Sequence, residues 1–213
     1  MNYKDKAYKF PFRNRELSRT QVKNNILEVL NEASNETYAG GLNWYSDAYN
    51  FAQDLSKKSE YNIAQVVGVI AALSPMKAWE QNKKLAKEFI LDGKRAGTFK
   101  NLVGKANDIL NLGAHSDKIE DEVVKVLNGQ KIVNFFLNIY HPNKDVAVTI
   151  DRHAIGIALL GSKRIKLEKE ELTVTAKQFE FLVHCYKWAS AEKSMSAIQL
   201  QAITWEHFRQ LKY

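Results

Sequence analysis

The chain has 213 residues, 45% of them hydrophobic and 26% charged, with a formal net charge of +7. That length suits one domain, or one domain folded as two lobes, and the hydrophobic share supports a buried core. The single cysteine, Cys185, excludes an intramolecular disulfide and any four-cysteine zinc or iron–sulfur site. No apolar run is long enough to cross a bilayer and the N-terminus is polar, so no membrane partner, no signal peptide and a reducing, cytoplasmic setting are expected.

Much of the positive charge is local. Residues 1–24 carry seven lysines and arginines against Asp5 and Glu16, and residues 77–105 carry eight against Glu80, Glu88 and Asp92. Clustered charge of this kind favours a polyanion through phosphate neutralisation and counterion release, so DNA is the expected partner. A lysine-rich solvated surface is the plainer alternative.

In chain order, residues 1–18 read as a basic arm that orders on binding, followed by one helical domain over 19–213. Asn43-Trp44-Tyr45 follows Gly40-Gly41 and reads as an aromatic cluster in a loop. Val66 to Leu73 is apolar on all faces, as a buried helix is. Ser74-Pro75 predicts the start of the next helix, Met76 to Leu91, with Ser as N-cap and Pro at the first position. Ile119, Val123, Val124 and Leu127 recur at helical spacing. Val146 to Ile150 is the only strand-like stretch, or an extended approach to a helix that begins near Asp151. Thr175-x-x-Gln178 and Ser196-x-x-Gln199 fit capping boxes that open two amphipathic helices. No Gly-rich phosphate loop is present, and His115, His141, His153, His184 and His207 lack metal-ligand spacing, so neither cofactor nor metal is expected. Trp205, Glu206 and His207 match no motif.

Three segments occur in a telling order. Gln65 to Ser74 ends in Leu-Ser and leads to Trp79-Glu-Gln-Asn82. Thr98 to Leu110 carries the pair Lys105-Ala106. Val126-Leu-Asn-Gly-Gln-Lys131 precedes Ile150-Asp151-Arg152-His153. Together, over roughly residues 60–160, they resemble the helix-hairpin-helix DNA glycosylases, the superfamily of endonuclease III and the adenine glycosylases. The resemblance implies an all-α, two-lobed fold with the active site between the lobes. It implies an enzyme that cleaves the N-glycosidic bond of a modified base in DNA, and a small, divergent, phage-type member working in a host cytoplasm.

The resemblance places Asp151 as the carboxylate that stabilises a cationic sugar or orients the attacking water. It places Lys131 where bifunctional members carry an attacking amine. A lysine contacting phosphate, or simply solvated, fits Lys131 as well, and Asp151 is also a favoured helix N-cap. His153 is either a general acid–base group or a structural hydrogen-bond partner. Arg152 either contacts phosphate or pairs with Asp151. Trp44 and Tyr45 either stack on an extruded base or pack in the core. Trp79 and Asn82 match positions that line the base pocket or meet the opposite strand. Gly129 and Gln130 match the hairpin, whose amides meet a phosphate. Here it reads Leu127-Asn128-Gly129-Gln130, about two residues shorter than the usual Leu-Pro-Gly-Val-Gly. A pyrimidine-hypermodification transferase of phage type on the same fold, or an inactive DNA- or protein-binding module, are the alternative functions.

Overall fold

The computed structural model describes residues 8–95, 97–113, 115–163 and 165–211. The fold is mostly helical, with ten helices and one two-stranded hairpin among the described residues. It divides into two compact units, one of Met1–Trp44 with Val148–Tyr213, the other of Tyr45–Ala147. No helix among the described residues is long and apolar enough to cross a membrane.

The first unit opens with the antiparallel strands β1 (Phe10–Phe12) and β2 (Arg15–Leu17), paired in the register Phe10↔Leu17. For residues 10–17 this corrects the reading of residues 1–18 as an arm. Phe10, Phe12 and Leu17 are 2–4% exposed and belong to the core of this unit. The alternation Phe-Pro-Phe supplies the buried face of a short strand. Residues 1–7, the rest of that segment's start, lie outside the described residues. Arg13, in the hairpin turn, donates through Nε to Glu171 Oε1 at 2.6 Å and through Nη2 to Glu171 Oε2 at 3.3 Å.

Four helices complete this unit: α1 (Arg19–Glu32), α8 (Arg152–Leu160), α9 (Ala176–Glu192) and α10 (Ala197–Gln210). The α1 helix packs on the other three, and α10 packs on α8 and α9. Capping boxes start α1 at Ser18/Gln21, α9 at Thr175/Gln178 and α10 at Ser196/Gln199. In each, the cap oxygen and the glutamine satisfy backbone amides that a helix start leaves open. Ile26, Leu159, Leu182 and Tyr186 are fully buried at the centre.

Helix α2 (Asn35–Lys57) begins in the first unit and ends in the second. Asn43, Trp44 and Tyr45 are therefore helical rather than a loop. Gly40-Gly41 does not break the helix, because Gly41 serves a close approach. A Cβ there would lie 2.5 Å from Ile203 Cα in α10.

In the second unit, α3 (Ile63–Leu73) is the hub, with α4 (Trp79–Leu91), α5 (Lys100–Leu110), α6 (Ile119–Leu127) and α7 (Gln130–Tyr140) packed against it. Every residue of α3 from Ala64 to Leu73 is buried, as its apolar sequence requires. Gln65 serves two helix ends at once. Its Oε1 accepts from Asn62 N–H at 3.1 Å at the start of α3. Its Nε2 donates to the carbonyls of Ile109, Leu110 and Leu112 at 3.3, 3.2 and 3.0 Å at the end of α5.

The start of α4 differs from expectation. Ser74 is the C-cap of α3, and α4 begins at Trp79 with Ala78 as N-cap. Ser74-Pro75-Met76-Lys77 forms a turn in which Lys77 N–H donates to Ser74 C=O at 3.1 Å and Met76 has φ 61°. Proline second and a positive φ third are the marks of a type II turn, which outcompetes the helix start. Residues 145–150 form no strand, so the strand-like stretch is the approach to α8.

Candidate active site around Asp151

The approach to Asp151 is fixed by burial. Val148 and Ile150 are 0% and 4% exposed and anchor the extended segment in the core of the first unit. Asp151 then turns the chain into α8 as its N-cap, with φ −104° and ψ −176°. Its Oδ1 accepts from the amides of His153 at 2.9 Å and Ala154 at 2.8 Å. Its Oδ2 accepts from Trp205 Nε1–H at 3.2 Å. His153 Nδ1 also lies 3.2 Å from Oδ2, and a carboxylate is acceptor-only, so this nitrogen carries the hydrogen and donates it. The carboxylate is mostly sequestered, with 14% of the side chain exposed.

The surroundings are aromatic. The Trp205 ring meets Trp44 edge-on at 5.7 Å between centroids, and His153 at 6.2 Å. His153 also meets Phe208 at 6.3 Å. The Arg209 guanidinium lies over the Trp205 ring, 4.4 Å from its centroid. Beneath α8, Tyr186 donates from its hydroxyl to Ala154 C=O at 3.1 Å. Burial pushes the Tyr186 phenol well above its ordinary value, and the nearby Asp151 carboxylate pushes it the same way, so it stays neutral.

The structure therefore brings Asp151, His153 and Trp44 together through Trp205. Arg152 is exposed. Trp205, Arg209 and Tyr186 join the site although no sequence motif singled them out. The Trp205 contact spans 54 positions, and nothing local to either residue signals it.

The other candidates lie in the second unit. The α6 and α7 helices are joined by Asn128, at φ 39°, and Gly129. Lys105 Nζ donates to the carbonyls of Leu127 and, at 3.4 Å, Asn128, where a cation suits the helix end. Gly129 is the N-cap of α7 and offers no side-chain cap. Gln130 and Lys131 follow on the exposed first turn, with Gln130 Nε2 donating to Asn134 Oδ1 at 2.9 Å.

Trp79 is half-buried, edge-on to Phe51 at 6.1 Å, and the Lys83 ammonium lies 5.8 Å from its ring centroid. Asn82 and Tyr45 require correction as DNA-contacting residues, since they are 1% and 5% exposed. Asn82 Nδ2 donates to Ile70 C=O at 3.1 Å and holds α4 to the end of α3. The Tyr45 hydroxyl accepts from Asn138 Nδ2 at 3.5 Å, and its ring packs on Phe135. Met76, 73% exposed on the turn where its φ is positive, and Phe99, 61% exposed before α5, are the most open large apolar side chains among the described residues.

A family of unknown function, DUF7178, matches residues 10–212. The chain belongs to that family. No curated protein and no solved structure gives a significant match. The match spans both units, so the Asp151 constellation and the α6–α7 turn both lie within the family's extent.

Proposed function

We propose that this DUF7178 protein is a DNA N-glycosylase-like enzyme of the helix-hairpin-helix type, cleaving the N-glycosidic bond of a modified base. The observation that carries the reading is Asp151: a sequestered carboxylate at a helix start, held by two backbone amides, an indole and an imidazole. N-glycosidic cleavage builds positive charge on the sugar, and a preorganised carboxylate stabilises that charge without reorganising. A turn joins α6 and α7 ahead of it in the chain, where the resemblance places the hairpin, but it is shorter than the family's hairpin and weakens that element as a phosphate contact.

The target base leaves the stack before reaction, because its bond is inaccessible in a duplex. Asp151 then stabilises the cationic sugar and orients the attacking water. Lys131, exposed at the start of α7, is the alternative nucleophile of a lyase branch, or a phosphate contact. The lysines of residues 77–105 supply the polyanion affinity. Met76 keeps a left-handed backbone that glycine would adopt more cheaply, and its exposed side chain is of the kind that wedges into an opened base step.

The test is incubation with DNA carrying a panel of modified bases, followed by analysis of free bases, abasic sites and nucleosides, with Asp151→Asn in parallel. Base release that disappears in the variant is the expected result. An altered nucleoside without free base would replace the reading with a hypermodification transferase. Salt-dependent DNA binding that is indifferent to Asp151→Asn, without product, would replace it with a binding module.

A further inference from the structure

We propose that Trp205 is a positioning residue for the reaction, setting the direction of the Asp151 carboxylate from a second helix. This inference rests on the glycosylase reading of Asp151. As N-cap, Asp151 commits Oδ1 to the amides of its own helix. Side chains hold Oδ2: His153 Nδ1, two residues away on the same helix, and Trp205 Nε1, from α10. A cap alone leaves the carboxylate free to tilt about its Cβ–Cγ bond. A donor on a separate helix restricts that tilt, because its position is set by α10 and not by the cap itself.

Trp205 is itself held on several sides. Trp44 meets its ring from α2, His153 meets it from α8, and Arg209 covers its face from the next turn of α10. Indole nitrogen only donates, so the pair Trp205–Asp151 has one sense and cannot invert. A hydrogen bond to an ionised group is stronger than one between neutral partners, which suits a group whose orientation must survive substrate entry. Two carboxylate oxygens fixed by independent elements is the arrangement expected where a displacement of about 1 Å costs about a hundredfold in rate.

The test compares Trp205→Phe, which keeps a ring and removes the N–H, with wild type and Asp151→Asn. The first readout needs no activity: the indole ¹H–¹⁵N resonance of Trp205 is expected to move in Asp151→Asn relative to wild type. The second is base release from the substrate found in the panel. Trp205→Phe is expected to lower kcat about tenfold or more while KM stays within about twofold. An indole resonance unmoved in Asp151→Asn would overturn the contact, whatever the fate of Trp205→Phe. Wild-type kcat in a folded Trp205→Phe, with Asp151→Asn inactive, would overturn the role of Trp205 and leave the glycosylase reading standing. Absence of base release by the wild-type protein would overturn both.

Discussion

Adjacent glycines in one helix should respond to the same substitution with opposite signs. In α2, a Cβ on Gly40 meets nothing within 4 Å, and Gly40 is exposed. A Cβ on Gly41 would lie 2.5 Å from Ile203 Cα, 2.6 Å from Ile203 Cγ1 and 2.7 Å from Ile203 N. Replacing a helical glycine with alanine gains about 1 kcal/mol in either case, from the reduced freedom of the unfolded chain and better helix propensity. At Gly40 nothing opposes that gain, so Gly40→Ala should stabilise by about 0.5–1 kcal/mol. At Gly41 the nearest obstacle is backbone, which no rotamer change relieves. The helices must part by about 1 Å, and overpacking of this kind costs about 1–3 kcal/mol, or more where backbone is displaced. With the backbone as the obstacle the cost falls at the upper end of that range, so Gly41→Ala should be destabilising by up to about 2 kcal/mol net. Urea unfolding followed by circular dichroism at 25 °C reads both values, provided the m-values agree. Equal stabilisation by the two variants would refute the close approach of α2 and α10 at Ile203.

Asp151→Ala should lose about 2 kcal/mol of stability, since it removes the α8 cap and strands the Trp205 donor, whereas Asp151→Asn keeps a cap oxygen and loses less; thermal melts of the pair check this. Gln65→Ala should destabilise by about 2 kcal/mol, because it removes the N–H donors buried at the end of α5 as well as the α3 capping box, measured by denaturant unfolding. Burial pushes the Cys185 thiol up to about 12, above its ordinary value near 9. The folded thiol therefore stays protonated where the unfolded one ionises. The unfolded state then binds fewer protons, so this group's contribution to stability falls as pH rises from about 9 toward 12. Ellman's reagent at pH 8 should react with Cys185 only in denaturant. Met76→Gly should leave stability within about 1 kcal/mol of wild type, as relief of the left-handed backbone offsets the freer unfolded chain; under the proposed glycosylase reading it should also weaken DNA binding in a fluorescence anisotropy titration.

Local chemistry was the legible part of this fold. The Thr175/Gln178 and Ser196/Gln199 boxes, the all-apolar α3 and the spacing of Ile119 to Leu127 each determine their element within a few residues. Where a neighbour distant in sequence decides the outcome, the local sequence carries no signal of it. Gly40-Gly41 looks like a loop until Ile203 is known to need the missing Cβ. Ser-Pro looks like a helix start, yet the same residues satisfy a tight turn that ends one helix before the next begins. The β1–β2 hairpin is only three residues per strand and is hidden among arginines and lysines. At the candidate site, Asp151 and His153 were visible as a motif. Trp205 was not, because its role depends on how α10 packs on α8.

The chain order of the two units has a consequence for biosynthesis. Tyr45–Ala147 is one uninterrupted stretch, whereas the other unit is assembled from segments on either side of it. A growing chain therefore completes the α3-centred bundle while α1 and the β-hairpin still lack α8, α9 and α10. Until those helices emerge, Phe10, Phe12 and Ile26 have most of their apolar partners missing. Nascent chains halted before α8 should thus depend on chaperone cover over their first forty residues more than over the hundred that follow.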